Sequence, residues 1–434
     1  MKMSSVWQGG FARLWGSVGV SLLGTQVSML ALPLTALGVL HASAGQVALL
    51  AAAGTSPFLL LGLPAGAWVD RWPRRELMVR TDQLRGALLA SVPAAYLLGV
   101  LTLAQLYVVA FGVGALSVFF DVASLSVLPA LVSHDRIAEA NGKLEAARAT
   151  GQSSGPAIGG VLVQALTAPV AVAVDALSYL ASALLLRGLP ELPAPPAPEQ
   201  REPLLRLVGE GLRFCLSHRY IRPLATGAAW LNFCVEGLLA IFVTHAVRDL
   251  HLSAATVGLV LAGANVGYLL GSLLVPRLNA RIGVGWAIAL GAAMHLGFLL
   301  VAFAPRTLTV AWLTLGFAIT AVGLAFWNVN AVSLRQATTP SAFLARMNAS
   351  NRFLIWGTMP LGAGAGGLLA GVLGLHAAVI IFSIGAPLSA VPVMLSAVRS
   401  VRTMPAAAVR TMPAAVAEPA SQPAELDAVW EPAS

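Results

Sequence analysis

The sequence predicts an all-α membrane protein with twelve transmembrane helices arranged as two pseudo-symmetric six-helix bundles. Three observations carry this. First, 58% of the 434 residues are hydrophobic and only 10% are charged, with a mean hydropathy of +0.81. Soluble domains carry roughly 25% charged residues, so this chain cannot cover a water-facing surface. Second, twelve apolar runs approach the ~20 residues needed to cross the hydrocarbon core. Third, the two halves of the chain echo each other at a nearly fixed offset.

The runs lie near 14–40, 45–69, 77–100, 104–128, 146–166, 170–188, 222–246, 255–276, 284–304, 308–333, 351–373 and 376–398. Their charges orient them. With both termini cytoplasmic, the outer loops hold only Arg248 and Arg306, and the other 24 of 26 Lys and Arg lie inside. This is the positive-inside bias of a multi-pass inner-membrane protein. It accounts for the net charge of +8 without a nucleic-acid partner. The first run is too long for a signal sequence and is expected to remain as a span.

The repeat spans several helices. Gly62 and Gly66 match Gly267 and Gly271, 205 residues on. At an offset of 207, Phe119-Phe120-Asp121-Val122 matches Phe326-Trp327-Asn328-Val329. At the same offset Gly155, Gly159 and Gly160 match Gly362, Gly366 and Gly367. The expected organisation is an N-terminal half (1–188), a linker (189–221), a C-terminal half (222–398) and a disordered tail (399–434). The linker opens with five prolines between 190 and 198 and continues as an amphipathic helix near 203–218, expected to lie in the lipid interface. Two six-helix halves in parallel repeat are one plan of a secondary transporter, with the substrate site at mid-depth between them. One chain carries both halves, so a monomer suffices.

Other chemistries lack their residues. No G-x-x-x-x-G-K-[ST] phosphate loop occurs, Cys215 and Cys234 form no disulfide framework, and the seven histidines are scattered. No cofactor, metal site or enzymatic activity is expected.

Two motifs carry mechanism. Between spans 2 and 3 runs Gly66-Ala67-Trp68-Val69-Asp70-Arg71-Trp72-Pro73-Arg74-Arg75. Its arginines serve as positive-inside anchors. Asp70 is expected to face the positive end of span 11 near Asn351 and, with Gly66, Arg71, Arg74 and Arg75, to latch the halves together. In span 5, Gly151, Gly155 and Gly159 recur every four residues, with Pro156 and Gly160 beside them. Close helix packing explains these glycines in full.

Both motifs resemble signatures of the major facilitator superfamily. Gly66, Asp70, Arg71, Arg74 and Arg75 match its loop signature, with Pro73 in place of a glycine. Gly151, Gly155, Pro156, Gly159 and Gly160 match the signature of its exporters. Leu128-Pro129-Ala130-Leu131-Val132, Val174-Asp175-Ala176-Leu177-Ser178-Tyr179, Val247-Arg248-Asp249-Leu250 and Arg346-Met347-Asn348-Ala349 resemble the branch that contains the enterobactin exporter and the macrolide efflux proteins. The resemblance covers roughly residues 10–398. It implies export of an amphiphilic small molecule, coupled to protons by antiport. The superfamily's arginine in span 4 is absent near Gly112 and Gly114.

Acids inside spans are costly and need reasons. Glu236, near the middle of span 7, has no basic residue within a helical turn and is the first candidate for proton coupling. Asp121 is the second, and a salt bridge to Arg85 or Arg148 is the competing reading. Asp82 and Arg85 are spaced to satisfy each other, and Asp175 is expected to be structural. The substrate cavity is expected to draw on Gln26, Met29, Asn232, Asn265, Trp327, Asn328, Trp356 and Met359. Aromatic and Met surfaces adapt to varied apolar ligands. An exporter of a dedicated siderophore-like metabolite is the competing cargo reading, and a transporter-like sensor or a polytopic membrane enzyme are the competing classes.

Overall fold

The computed structural model describes residues 10–62, 64–69, 72–133, 136–190, 204–340 and 344–404. It is helical throughout these residues. The N-terminal half comprises α1 (Gly10–Gly38), α2 (Ala44–Leu61), α3 (Pro64–Val69), α4 (Arg74–Leu97), α5 (Leu103–Leu131), α6 (Ile137–Leu166) and α7 (Ala168–Arg187). A connecting helix α8 (Leu204–Ser217) leads to the C-terminal half. That half contains α9 (Ile221–Arg248), α10 (Ala254–Ile282), α11 (Val284–Ala293), α12 (Phe298–Ala302), α13 (Thr309–Thr338), α14 (Leu344–Trp356), α15 (Met359–Leu373), α16 (Leu375–Gly385) and α17 (Ala390–Met394).

These helices make twelve spans. Among the described residues, ten segments are long and apolar enough to cross a membrane. The remaining two spans are α4 and α6, which are 24 and 30 residues long but carry more charge. Four spans are interrupted, each for a local reason. Gly62 and Pro64 separate α2 from α3, and Gly357 and Pro360 flank the break between α14 and α15. Pro387 opens the 3-10 turn between α16 and α17. Proline lacks the donor that would continue the ladder. In span 9 the cause is His295, whose Nδ1 lies 3.0 Å from the Gly291 carbonyl and 3.2 Å from that of Ala292. The imidazole occupies acceptors the backbone ladder uses, and residues 294–297 tighten into a 3-10 turn.

Helix association in lipid relies on close packing more than on apolar burial, because lipid tails are already apolar. The glycines supply that closeness. A methyl group at Gly151 would lie 2.7 Å from the Leu22 side chain, and one at Gly155 would lie 2.5 Å from Gln26, both on α1. The equivalent positions of the second half behave alike. Methyl groups at Gly362 and Gly366 would collide with the Phe233 and Gly237 backbone of α9. The repeat read from the sequence is therefore a repeat of contacts.

A buried polar core ties the N-terminal half together. Arg85 pairs with Asp82, and Ser182 of α7 donates to the other Asp82 oxygen at 2.5 Å. The Arg85 guanidinium lies 4.4 Å from the ring centres of both Phe120 and Tyr179. Tyr179 and Thr25 share a hydrogen bond of 2.8 Å. The expected Asp82–Arg85 pair is thus present. Asp175 is 1% exposed and accepts from Ser178 at 3.2 Å, as a structural acid would.

Two boundaries differ from expectation. The sequence puts the start of the tail at residue 399, yet the chain stays on the bundle to residue 404, because Gly285 and Val284 donate to the carbonyls of Val401 and Arg402 at 2.9 and 3.2 Å. The connecting helix also meets protein rather than lipid along part of its apolar side. Phe214 and Cys215 are buried with Ile221 and Met347, and the Cys215 thiol lies 3.7 Å from the Met347 carbonyl.

Candidate functional site: the seam between the halves

The seam is closed at one end by two symmetry-related glycine contacts. Gly160 of α6 meets Gly258 of α10, where an added methyl at position 160 would lie 2.6 Å from the Ala254 carbonyl and 3.2 Å from Gly258 Cα. Gly367 of α15 meets Gly45 of α2, where an added methyl at 367 would lie 3.1 Å from the Gly45 carbonyl. Pro156, Gly159 and Gly160 of the exporter-type motif therefore work as packing residues. Gly159 touches Val27 and Gln26 of α1, while Pro156 and Gly160 touch Gly258 of the other half.

Hydrogen bonds reinforce the same end. Arg248, at the end of α9, donates to the Ala42 carbonyl of the other half at 2.7 Å. Gln164 accepts from the Ala255 amide at 3.3 Å. The two loops involved share one geometry. His41 and His251 have φ of 50° and 53°, the Ala42 and Leu252 amides each reach back 2.9 Å to Ala36 and Ala246, and Ser43 and Ser253 cap α2 and α10. The signal was in the sequence as Leu40-His41-x-Ser43 against Leu250-His251-x-Ser253, but Arg248 as a cross-half donor was missed.

Deeper in the seam Asn265 donates to the Gln152 carbonyl across the halves at 2.7 Å. This sequence-predicted cavity residue is thus a bridge. Trp356 meets Phe58 of α2 edge-on at 5.3 Å, and Arg352 lies 4.1 Å over the Trp356 ring.

The two candidate coupling acids differ in surroundings. Glu236 lies on a half-buried stripe of α9, with Ala229, Asn232 and Leu239 at helical spacing, and α9 packs against α1 and α2 of the other half. Among the described residues no hydrogen bond or ion pair reaches its carboxyl, and no charged group acts on it. Asp121 is also half-buried. The salt bridge considered for it does not form, because Arg85 is held by Asp82 and Arg148 pairs with Glu145 at 2.6 Å. Three guanidinium groups still act on it electrostatically: Arg85, Arg148 and, from the other half, Arg352. Its repeat partner Asn328 is half-buried as well.

The other expected cavity residues divide. Gln26, Asn232, Asn328, Trp356 and Met359 are half-buried. Trp327 is 2% exposed in the core of the C-terminal half, where its ring packs on Gly227, so it does not line an open cavity. Met29 is 66% exposed. A cavity of about 210 Å³ between α1, α5 and α6 contains none of these residues.

The loop motif is only partly described. Asp70 and Arg71 lie outside the described residues, so the expected latch against α14 has no geometry here. Arg75 is an anchor within its own half: it donates to the Arg187 carbonyl at the end of α7, and Arg13 donates to the next carbonyl, of Gly188. Cations there complement the helix C-terminus. Among the described residues no cluster of His, Cys, Asp or Glu could hold a metal.

The sequence matches the model of the family described as transmembrane secretion effector over residues 2–423. The chain belongs to this family of the major facilitator superfamily. It is a multi-pass transporter, not an enzyme. The transporter is 28% identical to the multidrug efflux pump Tap of Mycolicibacterium fortuitum, over 79% of this chain and 85% of that protein. It is 27% identical to the enterobactin exporter EntS of Citrobacter koseri, over 68% and 70%. Its fold matches a bacterial homologue of the iron transporter ferroportin in an inward-facing state. There the TM-score is 0.69 at 18% identity, covering 89% of this chain and 98% of the other.

Proposed function

We propose that the protein is a proton-driven exporter of amphiphilic small molecules, acting by alternating access in the inner membrane of a bacterium. Glu236 is the proton-coupling site. The observation that carries this reading is a half-buried carboxyl at mid-span, on a helix that meets the other half, with no cation or hydrogen-bond donor beside it among the described residues. Such a group gains most from binding a proton or a cationic substrate, and releases one when the other arrives. The similarity to Tap and EntS, named for multidrug efflux and enterobactin export, favours export.

The charge distribution favours cytoplasmic termini. The glycine contacts and the Arg248–Ala42 hydrogen bond then form the outer closure, and the structure is an outward-closed state. Opening outward parts Gly160 from Gly258 and Gly367 from Gly45. Asp121 and Arg352, in opposite halves, attract each other through space, and that attraction strengthens as the inner side closes. A proton crossing inward contributes ~2.3 kcal/mol per 100 mV of membrane potential, besides any pH gradient.

Replacing Glu236 by Gln keeps shape and hydrogen bonding and removes the titration. The variant is expected to reach the membrane in normal amount and to lose protonophore-sensitive export. Export that stays unchanged and protonophore-sensitive removes Glu236 from the mechanism.

A further inference from the structure

A cavity of about 750 Å³ opens on the terminal-bearing face of the C-terminal half, away from the seam, where the segment after α17 folds back over the α10–α11 junction. Three arginines line it: Arg281 at the end of α10, and Arg399 and Arg402 on the returning segment. Thr403 adds a hydroxyl donor, while the Ser400 hydroxyl already donates to the Ala397 carbonyl at 2.8 Å; no acid is among the lining residues. Among the described residues, no hydrogen bond or ion pair engages any of the three guanidinium groups.

Three like charges held round one cavity repel one another unless an anion joins them. The backbone makes the convergence deliberate: Arg402 is brought beside Gly283 by the hydrogen bond from Val284 to its own carbonyl, 3.2 Å. The walls also identify the kind of anion. Trp286 lines the cavity at 51% exposure, and Ile282 and Met394 line it too. Leu395 beside it is 82% exposed. A soluble phosphate has no use for that apolar edge, whereas a lipid places its headgroup among the arginines and its chains along it. Basic pockets on the cytoplasmic side of transmembrane bundles suit anionic headgroups, and an indole at that level suits the membrane interface.

We propose that this cavity binds the phosphate headgroup of an anionic phospholipid and so fastens the returning C-terminal segment to the C-terminal half. The site is separate from the seam, and its test reads binding rather than transport.

The full-length protein in detergent is titrated with dioleoylphosphatidylglycerol, dioleoylphosphatidylcholine and glycerol phosphate, following bound lipid by native mass spectrometry and the melting temperature in parallel. Phosphatidylglycerol is expected to bind and raise the melting temperature, and the other two are not. Each arginine replaced by Ala is expected to weaken binding roughly 5-fold, and all three together about 100-fold. The lipid-free melting temperature should not fall, since none of the three side chains is engaged and their removal relieves like-charge repulsion. A second triple variant, R213A/R219A/R222A, removes the same charge from the same face outside the cavity and is expected to keep binding. Equal loss in both triple variants would mean general attraction of anionic lipid to a basic face, and overturns the site. Stabilisation by glycerol phosphate matching that by the lipid overturns the lipid assignment. No binding of phosphatidylglycerol to the unmodified protein overturns both.

Discussion

Adding one methyl group at the seam tests whether the glycine contacts hold the outward-closed state. In Gly160→Ala the new carbon would lie 2.6 Å from the Ala254 carbonyl, 3.0 Å from Ala255 Cα and 3.2 Å from Gly258 Cα. All three are backbone atoms, so no side chain can rotate away. Carbon contacts are comfortable at ~3.5–4.0 Å, so α6 and α10 must part by roughly 1 Å. Overpacking of this kind costs ~1–3 kcal/mol. The whole cost falls on the closed state, because the contact is absent once the halves separate. The ratio of outward-open to outward-closed molecules is therefore expected to rise roughly 5- to 150-fold. Spin labels on Val100 and Leu308, both exposed near that end and in opposite halves, report the separation by pulsed electron resonance. Cys215 and Cys234 are buried and do not compete for the label. The distance distribution should shift to longer values in Gly160→Ala and further in Gly160→Val. Gly371→Ala, where nothing lies within 4 Å of the added methyl, should leave it unchanged. A folded Gly160→Val protein with the parent distribution would refute the reasoning.

Three other outcomes follow from the geometry. Arg248→Ala removes the hydrogen bond to the Ala42 carbonyl and should shift the closed-to-open balance outward by about 1 kcal/mol, below the usual range for a charged donor because the side chain is exposed, read as longer distances between the same labels. Asp82→Asn removes the carboxylate that pairs directly with the buried Arg85 guanidinium; it should destabilise the protein by roughly 3–5 kcal/mol, read as a large fall in melting temperature. His218, outside the spans, accepts from the amides of Tyr220 and Ile221 through Nδ1 at 3.3 and 3.4 Å. Burial, and then the Arg219 charge, hold its pKa below 6.5. The unfolded chain therefore binds the proton first, so this contribution to stability is present above pH 6.5 and is lost as pH falls from there through the folded value. Melting temperature measured across that window should fall less steeply in His218→Asn.

The spans were legible because hydropathy and charge bias act through composition, which needs no partner. The duplication was legible too, and Gly155 and Gly362 show why: each must be small to meet the same position of a neighbouring helix. Pairings were harder. Asp121 looked free to bridge Arg148, yet Arg148 has Glu145 three residues earlier on its own helix, and a local pair forms more readily than one across helices. Trp327 read as an aromatic cavity residue, but the side of α13 it occupies is set by Gly227, whose missing side chain makes room for the ring. Arg75 read as part of a latch, whereas the end of α7 offers it an unsatisfied carbonyl in its own half. The cavity around Arg281, Arg399 and Arg402 could not be read at all, since it depends on the chain folding back after α17.

Accumulation of a panel of macrolides, tetracyclines, cationic dyes and siderophores, in efflux-deficient cells expressing the protein with and without a protonophore, tests the central claim most directly. Proton-driven export predicts lower accumulation of at least one amphiphilic compound, restored to the level of cells without the protein when the protonophore is added. Lower accumulation that the protonophore leaves intact would contradict proton coupling. Unchanged accumulation across the panel, with the protein abundant in the membrane, would contradict broad export of amphiphiles.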